Sequence, residues 1–256
     1  MQDLHEAIIL DREVVSLCPQ GHPERPISLN NLAIHLATRY DQLRAIQDLD
    51  EAIVLGREAL NLRPQGHPER SISLNNLAIH LATRYNRPRT IQDLDEAIVL
   101  GREALNLRPQ GHPQRSISLN NLAIHLATRY EQLEEMQDLN EAIILGQEAL
   151  NLFPQGQPYR SGSLSTLANR LATRYKEVGA MQDLDEAIVL HRTALALRPR
   201  GHPDRSASLD NIARNLRSRF ARSRQLQDQE ELFSLFAELM HIPPSVSSRD
   251  LSAARA

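Results

Sequence analysis

Residues 71 to 85 read S-I-S-L-N-N-L-A-I-H-L-A-T-R-Y, and residues 116 to 130 repeat that string without one change. A third copy, Pro26 to Tyr40, differs only in its first residue. Two looser copies, Ser161 to Tyr175 and Ser206 to Phe220, keep the framework. The closing aromatics Tyr40, Tyr85, Tyr130, Tyr175 and Phe220 stand 45 apart. So do the aspartates of a second recurring stretch, Asp3, Asp48, Asp93, Asp138, Asp183 and Asp228, best read in Gln92-Asp93-Leu94-Asp95-Glu96-Ala97-Ile98-Val99-Leu100. A fixed period of this size belongs to arrays whose units bury their apolar faces only by stacking on neighbours. Function in such an array is expected on a surface.

Within the second stretch, Leu49, Ala52, Ile53, Gly56, Ala59 and Leu60 follow the i, i+3, i+4, i+7 rule, which predicts a helix over about 48 to 62, here helix B. Each Asp is followed three residues later by Glu, so Asp48 and Glu51 are expected to form a capping box at its start. Arg63-Pro64-Gln65-Gly66-His67-Pro68 then stops one helix and starts the next. Helix A is expected from about Pro68 to Tyr85, with Leu74, Leu77, Ala78, Leu81 and Tyr85 on its buried stripe. Leu77, Ala78, Leu81, Ala97 and Ile98 are the predicted core. The alternation gives eleven helices. The fold class is therefore all-α, a superhelical solenoid of antiparallel helix pairs, spanning 1 to 242 as one array that opens on a lone helix B. Residues 243 to 256 read as a loose tail or one short helix.

Apolar residues make up 41% of the chain and aromatics 4%, so the core is expected to be built of Leu, Ile and Ala. No apolar run approaches the 18 to 20 residues of a spanning helix. A soluble, cytoplasmic chain is expected, with no membrane partner. Net charge is −3 and the isoelectric point is near 6.4, which argues against a nucleic-acid partner. Cys18 is the single cysteine and carries no redox or metal pattern around it.

The array resembles the tetratricopeptide repeat family, whose signature runs W-x2-L-G-x2-Y, then A-x3-F, then P. Leu74-x2-Leu77-Ala78-x2-Leu81 matches its first part, Ala97 heads the second, and Pro109 stands for the last; Gly101 replaces the expected aromatic, which Phe236 restores in the final copy. The unit is longer than the usual 34 residues, with additions at both helix junctions. Gly-His-Pro followed by Ser-Leu-Asn-Asn-Leu-Ala is similar to the long-unit branch typified by kinesin light chains and to fungal arrays of this kind. The resemblance implies a concave groove, lined by helix A, that receives a protein segment.

On a helical wheel Ile72, Asn75, Asn76, Ile79 and Thr83 fall opposite the buried stripe. They are the candidate peptide-binding residues, with Ile27, Asn30, Asn31 and Ile34 before them and Ile117, Asn120, Asn121 and Ile124 after. Two readings of the Asn-Asn pair stand open: ligand contact, or satisfaction of neighbouring helices. His35, His80 and His125 share one register, as do His22, His67, His112 and His202 in the connectors. Adjacent units sit at helix packing distances of about 8 to 10 Å, too far for one metal to bridge, so no metal is expected and the connector histidines read as polar caps. Arg39, Arg84, Arg129, Arg174 and Arg219 recur with the aspartates, which suggests an ion pair between helices. No phosphate loop, nucleophile and base pairing or spare carboxylate pair occurs, so neither an enzyme nor a cofactor is expected. The rival functional readings are a regulatory arm of a larger protein and a self-associating array, with weak pairing through the N-terminal helix.

Overall fold

In the computed structural model, residues 2 to 85, 91 to 153 and 160 to 240 are described. Among them are eleven helices and no strand. The helices are α1 (Gln2–Leu17), α2 (Arg25–Leu43), α3 (Ile46–Asn61), α4 (Arg70–Tyr85), α5 (Ile91–Asn106), α6 (Arg115–Leu133), α7 (Met136–Leu152), α8 (Arg160–Val178), α9 (Met181–Ala196), α10 (Arg205–Ser223) and α11 (Leu226–Met240). Even-numbered helices carry the helix A sequence and odd-numbered ones helix B. The chain forms two compact units, 1 to 138 and 139 to 256. Each stacks consecutive helices in solenoid fashion, with α2 packed on α3, α4 on α5, α8 on α9 and α10 on α11. The proposed tail from residue 243 lies outside the described residues.

Two backbone devices set the 45-residue period. Between α2 and α3 only Arg44 and Ala45 intervene, and Arg44 takes a left-handed conformation (φ 57°), its N–H donating to the Tyr40 carbonyl at 2.7 Å. So short a link reverses the chain and lays the two helices antiparallel. The longer connector turns on Gly66 (φ 87°), and Gly21, Gly111 and Gly201 repeat that angle. In four connectors the histidine is a cap, as its sequence position suggests: Nδ1 of His22, His67, His112 and His202 accepts the backbone N–H two residues on, at 3.1 to 3.2 Å.

The core follows the predicted stripes. Leu77, Ala78, Leu81, Ala97 and Ile98 are all buried. Tyr40, Leu49, Ile53, Leu77, Ala78, Leu81 and Ala97 form one cluster running from α2 to α5, so the contacts that close one pair also join it to the next. In the second unit Leu184, Ile188, Leu209, Ile212, Leu216 and Leu232 do the same.

Helix boundaries depart from the sequence reading in two places. Helix A starts at Arg70, two residues after Pro68, because residues 67 to 69 still form a turn in which the Arg70 N–H donates to the His67 carbonyl at 3.1 Å. Helix B starts at Ile46, so Asp48 lies inside the first turn; the N-cap is Ala45, and no side chain caps it. The expected capping box is absent because both acids bind arginines instead. Asp48 takes Arg39 (2.6 and 2.7 Å), and Glu51 takes Arg12 of α1 at 2.7 Å. A charged guanidinium partner gives a carboxylate stronger hydrogen bonds than a backbone N–H does. Glu96 accepts from Arg57 in the same way, at 2.7 Å, and Glu231 from Arg192.

Candidate functional site

The suspected arginine and aspartate pairing is present in every copy. Arg39 grips Asp48, Arg84 grips Asp93, Arg129 grips Asp138, Arg174 grips Asp183 and Arg219 grips Asp228, each through Nε and Nη2 to the two carboxylate oxygens at 2.6 to 3.1 Å. Each aspartate is buried. The hydrogen bond that each arginine donates to its aspartate raises the arginine's pKa, outweighing the opposing effect of burial. The clamp fixes the end of helix A to the start of helix B and so orients the outward face of A.

That face is narrower than the wheel predicts. Asn31, Ile34 and Thr38 are exposed on α2. Ile79 on α4 and Ile124 on α6 are 38% and 40% exposed, with Asn76, Asn121, Thr83 and Thr128 partly so beside them. Ile27 and Ile72 are half-buried, and Ile117 is exposed. Since α4 packs beside both α2 and α6, these side chains form three parallel rows in the first unit. The threonines offer less than their type suggests: Thr38, Thr83 and Thr128 donate their hydroxyls to the carbonyls of Ile34, Ile79 and Ile124, at 2.8 to 2.9 Å.

Asn30 and Asn75 are not on this face. They are 4% and 5% exposed, and Asn30 Nδ2 donates to Ser73 Oγ of the next helix A at 3.0 Å. Asn120 is half-buried. One residue of helix is a rotation of about 100°, enough to turn the first asparagine of each pair into the neighbouring repeat and the second toward solvent. Satisfaction of a neighbouring helix is therefore the role of Asn30, while the second asparagine of each pair is left facing solvent.

The histidines of helix A also separate. His35 Nδ1 lies 2.5 Å from Asp11 of α1. His80 and His125 are buried with neither ring nitrogen bonded to a described residue, and burial lowers their pKa to about 4. Among the described residues no three His, Cys, Asp or Glu side chains are grouped as a metal site would need. No described helix is long and apolar enough to cross a membrane.

Sequence reasoning missed a second arginine network at the far end of the pairs. Arg63, Arg108 and Arg198 are 2 to 5% exposed, and Arg63 and Arg108 donate to Ser73 and Ser118 at 2.9 and 2.7 Å. Arg70, at the start of α4, donates to the Arg63 carbonyl at 2.7 Å and pairs with Glu103 at 2.8 Å. Arg25, Arg70, Arg115, Arg160 and Arg205 recur at the same 45-residue step as the clamps, a signal that could have exposed them.

A family model described as Tetratricopeptide repeat matches residues 27–69, 72–114 and 161–204, just over half of the chain. The crystal structure of nearly identical TPR-like repeats from a Podosopora anserina protein named for kinesin light chains is similar over 87% of this chain and 100% of that one, at 22% identity and a TM-score of 0.59. BtubC (BKLC) from P. vanneervenii is similar over 94% of both chains, at 20% identity and a TM-score of 0.62. At these identities the two structures speak for the fold alone. Comparison with curated protein sequences gives no match. The matched repeats, the helix pairs and the 45-residue step together establish that the chain belongs to the tetratricopeptide repeat family.

Proposed function

We propose that the outward rows of α2, α4 and α6 bind an extended segment of another protein in the cytoplasm, and that the chain acts as a non-enzymatic scaffold. The observation that carries this reading is the threefold repetition of an outward Asn and an outward Ile three residues later, Asn31 with Ile34, Asn76 with Ile79 and Asn121 with Ile124. An asparagine amide can donate to and accept from a ligand backbone at once, and the isoleucines beside it offer apolar contact for alternate side chains. The equivalent positions of the second unit are Thr166 with Asn169 and Asn211 with Arg214, so binding belongs to the first unit.

The test is affinity capture with the full chain, followed by mapping of a captured partner to a peptide and measurement of its affinity. Asn76→Ala combined with Asn121→Ala is expected to weaken that peptide while leaving stability within about ±0.5 kcal/mol, as exposed changes usually do. Unchanged peptide affinity in the double variant overturns the reading.

A second reading, association of copies through α1, rests on the exposure of Leu10, Val14 and Leu17 along that helix.

A further inference from the structure

The clamp arginines have a third edge. In α4, Arg84 Nη1 donates to Asp50 Oδ1 of α3 at 3.1 Å, while its other nitrogens hold Asp93. Arg129 holds Asp95 in the same way at 2.9 Å, Arg219 holds Asp185 at 2.7 Å, and Arg174 holds the amide oxygen of Asn140 at 3.1 Å. In four copies, then, an oxygen from the preceding helix B completes the guanidinium. The residue at that step before Arg39 is His5. Arg39 bonds Asp48 and has no further hydrogen-bond partner among the described residues, Glu51 acting on it only at longer range.

Where the missing oxygen would lie there is a cavity of about 320 Å3, lined by Leu4, His5, Arg39, Leu43, Ala45 and Asp48. That volume is at the small end of the range for ligand pockets. Its walls are mostly apolar. Leu4, Leu43 and Ala45 supply the apolar part, and the Arg39 edge supplies the N–H donors. Asp48 does not forbid a second anion, because Arg84 and Arg129 each hold two carboxylates at once.

We propose that this cavity is a binding site for a small carboxylate with a short aliphatic tail. The carboxylate takes the place on Arg39 that Asp50 takes on Arg84, and the tail lies against Leu4 and Leu43. A neutral molecule of the same shape lacks the charge-assisted bond, so the site discriminates acid from amide. The ligand would also tie α1 to α2 and α3, replacing a contact that the other copies make within the chain.

The experiment is a titration of the whole chain, methyl-labelled at leucine, with hexanoate and with hexanamide, followed by NMR. Hexanoate is expected to shift the methyl signals of Leu4 and Leu43 in a saturable manner, and hexanamide to bind at least about tenfold more weakly. His5→Asp returns to the first copy the carboxylate that Arg84 already has, so it should abolish hexanoate binding while the chain stays folded by circular dichroism. His5→Ala should keep binding. No saturable shift with hexanoate, equal binding of the amide, or undiminished binding by the His5→Asp chain would each overturn the proposal.

Discussion

Gly101 of α5 faces His125 of α6: a Cβ added at residue 101 would lie 3.3 Å from Leu122 and 3.9 Å from the His125 ring. Gly56 and His80 repeat the arrangement to the same distances. At the corresponding positions the first copy has Asp11 and His35, in contact at 2.5 Å, and a later one has His191 and Asn215, both buried. The two positions thus trade volume and polarity across the joint between units. We expect Gly101→His to destabilise the fold by roughly 1 to 3 kcal/mol through overpacking, and His125→Asn to leave a gap there. Together they should restore much of the loss, since they reproduce the pair at 191 and 215. Urea unfolding of the two single variants and the double variant measures the coupling, and simple additivity would sink the idea.

The same buried imidazoles make stability depend on pH. Burial lowers the pKa of His80 and His125 from about 6.5 to about 4, and His191 falls equally far, with Arg198 and Arg214 adding to burial there. The unfolded chain takes up protons near pH 6.5 while the folded chain stays neutral until about 4. Stability is therefore full above about pH 6.5 and falls as the pH drops toward 4, by at most roughly 3 kcal/mol for each histidine. Urea midpoints taken at pH 7.5 and 4.5 should separate widely for the parent and less for a chain with His80→Asn and His125→Asn. Equal separations would show that these rings are not responsible.

Asp93 is the buried half of a clamp whose other half, Arg84, is partly exposed, with side chains 8% and 26% exposed. Removing the acid leaves a guanidinium that has lost most of its water with only the exposed Asp50 as partner. Asp93→Ala should cost about 2 to 3 kcal/mol in urea unfolding. Arg84→Met with Asp93→Leu should recover part of that, because the pair then becomes apolar and the one charge that loses its partner, Asp50, is exposed to water. A loss under about 0.5 kcal/mol in the single variant would mean that water replaces the aspartate without penalty.

Among the described residues, three that are not glycine close helix A with positive φ: Arg44, Glu134 and Arg224. The fourth copy uses Gly179 there, at φ 74°, with the same bond, N–H to the Tyr175 carbonyl at 2.8 Å. Arg44 and Arg224 gain a ring contact, with Tyr40 and Phe220 at 5.5 and 5.7 Å; Glu134 shows no such contact. Glu134→Gly should therefore stabilise the chain by roughly 0.5 to 1 kcal/mol, the left-handed penalty removed outweighing the added freedom of the unfolded glycine. A lower melting temperature for the variant would contradict this.

Much of the architecture was legible because the repeat is so regular. The stripe Leu74, Leu77, Ala78, Leu81, Tyr85 could only face inward, and the common step of Arg84 and Asp93 announced their pairing. What was not legible depends on the rotation between neighbouring units, which no single helix encodes. Asn30 and Asn31 are alike in chemistry, and only the position of Ser73 on the next helix A decides which is buried. The Asp-x-x-Glu motif suits a cap and an ion pair equally well until Arg39 and Arg12 are placed beside it. Likewise, His35 and His80 differ through the residue 24 positions earlier, Asp11 in one case and Gly56 in the other.

Ile8 of α1 is only 2% exposed and packs with Leu32, Ala33 and Leu36, while Leu4 and Val15 are half-covered by the same cluster. The apolar surface left open is instead Ile9, Leu10, Val14 and Leu17, at 46%, 53%, 44% and 77% exposure. Residues 10, 14 and 17 lie on one stripe of the helix, and burying each such side chain is worth roughly 1.5 to 3 kcal/mol. Against the several kcal/mol lost in translational and rotational freedom on association, three side chains suffice for a weak complex and no more. Sedimentation equilibrium should therefore show reversible association only at high concentration. Leu10→Asp with Val14→Asp should abolish it at an unchanged melting temperature, whereas Ile8→Asp should instead unfold the first helix packing. A parent chain that stays monomeric at the highest concentration reached, or a Leu10 and Val14 variant that associates as strongly as the parent, removes α1 as an interface.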